Sequence, residues 1–367
     1  MSEPIRVAII GCGNIAGPYA EDIATYKELE LVGVVDIDPL RAQAFAEKHN
    51  TTAYDNAAAM LADDRVDIVI NLTIHTAHKA ITELCLNAGK HVYSEKPLAM
   101  TAAEARSLVQ LADKKGLRLG CSPFTLMGEA QQTAWKLIRE GALGVVRVVY
   151  AEVNWARIET WHPEPQAFYE VGPLFDVGVY PLTILVSMFG PAKRVQSYGT
   201  VLYPRRVTKT GAPFEITTPD FAVTMVELAD GTVVRLTTNF YVGTHNKQTG
   251  LEFHGDKASL HLRQWQDFDS PVEVSEFNQR YEPVELLGEP ARGTPWGRGV
   301  WEMARAMQDN RPHRFTGEMA AHVVEILEAA SASMKDGHPV ELASTFTPPP
   351  PMAWAEFDSV PDSASQA

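Results

Sequence analysis

The chain has 367 residues, 45% of them apolar, enough for two domains with separate cores. Its formal charge of −14 argues against a duplex nucleic acid or an anionic membrane surface as partner, since both need a basic footprint. Charged residues at 21%, with ordinary glycine and proline usage, exclude a disordered or collagen-like chain. The three cysteines, Cys12, Cys85 and Cys121, form no C-x-x-C pair, so no zinc ribbon, dithiol centre or other metal site is expected. An odd thiol count suits a reducing compartment. The N-terminus runs straight into a strand pattern and no run reaches 18 apolar residues, so a cytoplasmic protein without a membrane span is expected.

Strand and helix patterns alternate over the first 120 or so residues. Residues 5–10 (IRVAII) form an apolar run that ends in GCGNIA, and 15–26 carry a helical period. Residues 30–36 form a second strand; Asp38 then caps a helix with Pro39 at its first position. Residues 66–73 read as a buried strand, 76–88 as a helix stopped by Gly89, and 90–94 as a strand. Thr101 and Glu104 have capping-box spacing for a helix over 101–115, and 117–121 closes the series. Such alternation predicts a parallel sheet with helices on both faces over 1–123.

The texture changes near residue 124. One helix, 129–140, precedes strand patterns at 145–153, 194–203, 220–229, 232–241, 249–254 and 258–263, with Asp230-Gly231 as a hairpin signal. Helices are expected at 177–189 and 317–335. Residues 124–345 therefore read as an α+β domain on a large, open, mostly antiparallel sheet. The Pro-rich segment 346–367 reads as a surface-draped or disordered tail.

Gly11-Cys12-Gly13-Asn14-Ile15-Ala16 fits G-x-G-x-x-G/A in its full context: a strand before it, a helix after it, and Asp36 at the end of the next strand. Gly11 permits the tight turn, Gly13 lets backbone N–H groups approach a pyrophosphate, and Ala16 lets the helix pack closely. The first domain is thus expected to be of Rossmann type. Asp36 accepts ribose hydroxyls and repels a 2′-phosphate, which favours NAD over NADP; it can also merely cap the turn.

Glu95-Lys96-Pro97-Leu98 follows the strand HVYS. With the fingerprint, the stretch 71–99 and DVGVYPL at 176–182, the chain closely resembles the Gfo/Idh/MocA family of nicotinamide-dependent oxidoreductases. The resemblance extends from the start to about residue 340. It implies hydride transfer between NAD(P) and a secondary alcohol or ketone of a sugar, cyclitol or related polyol, in a homodimer or homotetramer joined through the open sheet. It implies a cis Lys96–Pro97 peptide and a lysine that polarises the substrate hydroxyl. It also assigns cofactor contacts to Asn14, Ile15, Thr73, His75, His78, Glu95 and Lys96. His75 departs from the common residue at its position. His78 can equally be a helix-start histidine bonded to backbone.

Asp176 and Tyr180 lie four apart at the mouth of the expected 177–189 helix. The family motif DxGxHxxD has Tyr180 in place of its histidine and Thr183 in place of its second acid. This places Lys96, Asp176 and Tyr180 as the catalytic set, with Lys96 lowering the Tyr180 pKa and its own pKa shifted down by burial and the cofactor. As alternatives, Asp176 is a helix cap and Tyr180 a buried aromatic. Residues 154–169 are expected to form a lid, with Trp155, Trp161 and Tyr169 stacking on a sugar and His162 bonding a hydroxyl, or simply to be a loop glued down by aromatics. Arg298 and Trp301 are further cleft candidates. CSPFTLMGEA at 121–130 lacks the arginine many relatives carry. The runner-up function is a non-catalytic dinucleotide- or sugar-binding sensor of the same fold. A hydrolytic or eliminating relative that uses NAD transiently is a third reading.

Overall fold

A computed structural model describes residues 3–356. Its first sheet consists of β1 (Ile5–Ile10), β2 (Leu29–Val35), β3 (Thr52–Ala53), β4 (Ile68–Asn71), β5 (His91–Ser94) and β6 (Leu119–Cys121). The order is β3-β2-β1-β4-β5-β6 and every pairing is parallel. The inner strands are nearly all buried because helices cover both faces, and their continuous apolar runs follow from that. The helices are α1 (Ala16–Ile23), α2 (Pro39–His49), the short α3 (Ala57–Leu61), α4 (His78–Asn87) and α5 (Ala102–Lys115). Local chemistry sets their ends as expected. Asp38 caps α2 through Leu40 N (3.0 Å), and Thr101 with Glu104 forms the capping box of α5, which stops at left-handed Gly116. β3 and α3 are too short to carry a periodic signal.

The second half holds α6 (Glu129–Arg139), β7 (Val146–Asn154), α7 (Gln166–Asp176), α8 (Val179–Phe189), β8 (Ala192–Thr200), β9 (Arg205–Val207), β10 (Pro213–Glu215), β11 (Phe221–Leu228) and β12 (Val233–Asn239). It continues with β13 (Gly250–Gly255), β14 (Ala258–Leu262), β15 (Val272–Glu276), β16 (Glu282–Pro283), α9 (Arg298–Gln308), α10 (Gly317–Asp336) and β17 (Val340–Glu341). Nine strands run β16-β15-β14-β13-β7-β12-β11-β8-β17, antiparallel except for β7 with β12. The hairpin at Asp230-Gly231 joins β11 to β12, with Gly231 at φ +93°. β9 and β10 form a separate hairpin.

α7 was not expected. Pro163, Pro165, Gly172 and Pro173 make its sequence look like loop, and Gly172 does break it, with φ +79° and ψ 162°. Asp176 therefore ends α7 instead of capping the next helix. Gly178 takes the cap position of α8, and Pro181 sits in its first turn, where no partner for an N–H is needed. The span Gln166–Phe189 is long and apolar enough by composition to cross a membrane, but 83% of its apolar window is buried inside the fold.

α10 lies against β8 and α8 of the second half and against α5 and β6 of the first. α9 packs on β6 and α1. The C-terminal helices thus bind the two sheets together. Part of the expected tail packs as well: Arg314 bonds the carbonyls of Pro350 and Pro351, and Met352 N donates to Gln132. Residues 357–367 of that segment lie outside the described residues.

Candidate active site

The parallel strands end at one edge, and the loops after β1, β2, β4 and β5 meet there, in the crevice where open α/β sheets bind ligands. At Gly11 the chain turns with φ +98°, and a Cβ would stand 2.7 Å from Leu72 O, so only glycine fits. Gly13 is the opposite case. It is exposed, and nothing lies within 4 Å of where its Cβ would be. The space over the loop at the start of α1 is open, as an approaching pyrophosphate requires. Asn14 and Ile15 border it.

Asp36 lies under this loop with its side chain 5% exposed. One oxygen accepts Cys12 N (2.7 Å) and the other Asp38 N (2.9 Å). It does cap the turn, and the oxygen that accepts Cys12 N keeps a lone pair for a ribose hydroxyl. Arg41 reaches both Asp36 (3.5 Å) and Asp38 (3.8 Å). The neighbouring Ile37 is fully exposed, an apolar surface beside the ribose position. Open glycine loop, helix start and carboxylate together fit a bound dinucleotide.

On the β4–β5 side, Thr73 Oγ1 donates to Asn71 (2.7 Å). His78 is buried, with its ring nitrogens facing Pro97 O (2.7 Å) and Thr73 O (3.0 Å). It is a tie between two loops rather than a cofactor contact, which corrects that assignment. Glu95 is buried and accepts the Tyr19 hydroxyl (2.6 Å) and Lys96 N (3.2 Å). The Lys96–Pro97 peptide is cis, as is Ser122–Pro123. His75 is half-buried near Lys96 and Asp176, and burial, then His78, push its pKa down.

Lys96 reaches across to the second half. Its Nζ donates to Asp176 O (2.7 Å) and Oδ1 (3.0 Å), so one ammonium both ends α7 and pairs with its last carboxylate. The same Nζ sits 5.1 Å from the centre of the Tyr180 ring. Burial pulls the Lys96 pKa down, but Asp176, Tyr180 and Glu95 outweigh it and the net shift is upward. The expected downward shift does not hold in this arrangement: the Asp176 carboxylate paired with the ammonium decides the sign. Burial pushes the Tyr180 phenol up, and the opposing pull of Lys96 does not reverse it, which corrects the second expectation. Tyr180 is a neutral phenol and Lys96 a fixed cation.

The lid candidates part ways. His162 lies at the cradle, its Nε2 3.3 Å from Asn14 Nδ2. Trp161 is exposed and packs edge-on against His162 and Phe168. Trp155 packs on Trp265 at 5.6 Å, and Trp265 on Tyr180 at 4.6 Å. Tyr169 is not available to a sugar. Its buried hydroxyl donates to Glu159 and accepts from Arg206, which also pairs with Asp220, all inside the core. Arg298 and Trp301 are also structural: Arg298 pairs with Glu129 (3.1 Å), and Trp301 bonds Glu28 and stacks on Tyr26. Sequence reasoning missed Trp265 and Arg206, because neither lies near a motif; only the fold brings them to the site and its lid.

Residues 5–122 match the family described as an oxidoreductase family with an NAD-binding Rossmann fold, and residues 131–261 match the GFO/IDH/MocA C-terminal domain. The chain is 30% identical to D-glucoside 3-dehydrogenase of Escherichia coli (strain K12), over 71% of this chain and 78% of that enzyme. It is 32% identical to trans-1,2-dihydrobenzene-1,2-diol dehydrogenase of Homo sapiens, over 52% of this chain and 57% of that enzyme. Among solved structures, the fold is shared with an NAD binding oxidoreductase from Klebsiella pneumoniae (TM-score 0.82, 18% identity, 93% of this chain and 100% of that one). It is shared too with the WlbA dehydrogenase from Bordetella pertussis in complex with NADH and UDP-GlcNAcA (TM-score 0.78, 18% identity, 94% and 99%). The glycine loop, the Lys96 segment and the paired sheets thus occur together for a shared reason: the chain belongs to the Gfo/Idh/MocA oxidoreductase family.

Proposed function

We propose that the protein is a dehydrogenase or reductase that moves a hydride between NAD and a secondary alcohol or ketone of a sugar, cyclitol or related polyol. One observation carries this reading. A charged lysine, fixed on Asp176, lies against a buried neutral phenol whose hydroxyl has no protein partner among the described residues, beside an open dinucleotide loop. A module that only binds needs no such pair. When bound, the nicotinamide supplies the hydride acceptor or donor. Lys96 donates to the reacting oxygen and stabilises negative charge on it. In the reducing direction Tyr180 gives that oxygen its proton and is left as a phenolate beside Lys96; in the oxidising direction the phenol must first lose its proton to solvent, and the phenolate so formed, held by Lys96, takes the alcohol's proton. Asp176 positions Lys96. The raised phenol pKa means that Tyr180 starts as an acid at neutral pH.

Asp36 supports NAD over NADP, and so does Arg41: its charge is already met by Asp36 and Asp38, leaving no spare cation for a 2′-phosphate. The three cysteines are buried and unpaired, which suits a reducing cytoplasm. The open face of the large sheet carries exposed Tyr198 and Met225 and a groove of about 540 Å³ lined by Glu152, Val223, Arg235 and Thr237. Lys96, Asp176 and Tyr180 do not line this groove. We assign the face to self-association into a dimer or tetramer, since association would cover the exposed Tyr198 and Met225. Light scattering should give a multiple of 40.4 kDa; a monomer at micromolar concentration contradicts this.

The test of function is NADH formation, or NADH consumption with ketones, against a sugar and polyol panel, with Lys96→Met as control. Turnover in the wild type that disappears in the variant is expected. NADH binding without turnover of any panel member points to the sensor reading instead.

A further inference from the structure

No hydrogen bond aims the Tyr180 phenol. Its hydroxyl has no partner among the described residues, and its main chain belongs to the first turn of α8. The ring is placed by what presses on it: Lys96 Nζ, 5.1 Å from its centre, and the Trp265 indole, at 4.6 Å. Trp265 is buried and packs in turn on Trp155 at 5.6 Å. It stands on the loop between β14 and β15, so whatever holds that loop places the phenol.

The start of α6 holds it, mainly through one amide. Gln131 is fully buried, and its Nε2 donates to the carbonyls of Asp267 (3.0 Å), Trp265 (3.3 Å) and Gln264 (3.5 Å). Among the described residues, the Gln264 and Trp265 carbonyls accept no other hydrogen bond. Turning the amide over would set its oxygen against three carbonyl oxygens, so its orientation is fixed. Ala130 N adds a bond to Phe268 O (3.0 Å). Gly128 lets the helix start come this close: a Cβ there would collide with Gln131 Oε1 and stand 2.6 Å from the Phe268 ring. Gln132, also buried, pins the same turn from the other side, donating to Leu126 O (2.7 Å) and accepting Met352 N (3.0 Å).

We propose that Gln131 is a positioning residue for the acid/base step: by gripping these three carbonyls it keeps Trp265 against Tyr180, and so keeps the phenol aimed at the oxygen that Lys96 handles. A proton donor held only by packing is sensitive to the wall behind it, since a shift of about 1 Å at a reacting group can cost about 10²-fold in rate. Gln131 touches neither substrate nor cofactor in this role; it acts through Trp265 alone. This inference rests on the oxidoreductase reading above.

Gln131→Leu keeps the bulk of the side chain and removes the donor. Its kcat should fall about 10- to 100-fold, with substrate KM and NADH affinity within about 2-fold of wild type. In a Tyr180→Phe background the same change should cost less than about 2-fold, because the phenol it places is gone. Gly128→Ala crowds Gln131 and Phe268 together and should lower kcat in the same way, to a smaller extent; it carries the test if Gln131→Leu does not fold. Near-UV circular dichroism should show an altered aromatic signal in Gln131→Leu, and no such change when Gln131→Leu is added to Trp265→Phe. Unchanged kcat in the folded variants, a loss confined to KM, or an equal loss with and without the Tyr180 hydroxyl overturns the assignment. If the wild type turns over no panel member, the oxidoreductase reading fails instead. The circular dichroism still judges Gln131, and a spectrum unchanged by Gln131→Leu overturns its hold on Trp265.

Discussion

The dinucleotide cradle and the acid/base cluster are built in opposite ways. The cradle is mostly backbone: Gly11 turns, Gly13 leaves room, and Asp36 braces the loop through two amide N–H groups within one stretch of chain. The cluster is mostly side chain. Lys96 comes from the first sheet, Asp176 and Tyr180 from two helices of the second half, and Trp265 from a loop beyond both. A site made of local backbone keeps its function as long as its turn residues stand. A site made of side chains from distant segments takes its electrostatics from whichever partners the fold supplies.

The sharpest way to break this comparison is to remove the cation that joins the halves. Lys96→Met should lower turnover about 10³-fold or more, since it takes away both charge stabilisation and an oxygen contact. NADH affinity, read by fluorescence titration, should change far less than turnover, because the glycine loop and Asp36 are left intact. A parallel collapse of NADH binding would show that the two regions are not separable.

Legibility follows the same division. The fingerprint, the Asp38 and Thr101 caps and the Asp230-Gly231 hairpin were readable because each is set within a few residues. α7 was not, since its prolines and glycines describe a kinked helix as well as a loop. The sign of the Lys96 shift was not either, because a carboxylate 80 residues away sets it. Tyr169 looked like a sugar platform in the sequence, and only the fold reveals Arg206 and Glu159 against its hydroxyl.

The contrast reaches stability. In the second half, a buried imidazole, His322, accepts Ala192 N (2.8 Å) at Nε2 and contacts Ser344 Oγ (2.8 Å). Burial lowers its pKa to about 4. The folded state binds the proton less readily than the unfolded chain, so this contribution is complete above about pH 6.5 and is lost as pH falls toward 4, by up to about 3 kcal/mol. Urea unfolding at pH 7 and 4.5 should show that drop, with a smaller one in His322→Gln. An identical pH dependence in both proteins contradicts the assignment.

Two changes in the cradle sharpen the comparison from the other side. Gly11→Ala forces a side chain into the left-handed region and against Leu72 O, at about 1–3 kcal/mol of strain. Chemical denaturation should detect it, along with weakened NADH binding; an unchanged midpoint contradicts the close approach. Asp36→Ala should have the smallest effect, weakening NAD binding about 5- to 10-fold for the loss of ribose hydrogen bonds and narrowing its advantage over NADP. Titrations in which the wild type prefers NADP oppose the role given to Asp36.

The central claim is that Tyr180 relays the proton while Lys96 holds the reacting oxygen. Turnover and NADH affinity measured together in Tyr180→Phe test it most directly. The variant removes one oxygen atom and leaves the ring between Lys96 and Trp265. Turnover on the identified substrate should fall about 10²-fold or more, with NADH affinity unchanged. Turnover close to wild type would mean that another group moves the proton and that Tyr180 is only a wall of the cleft.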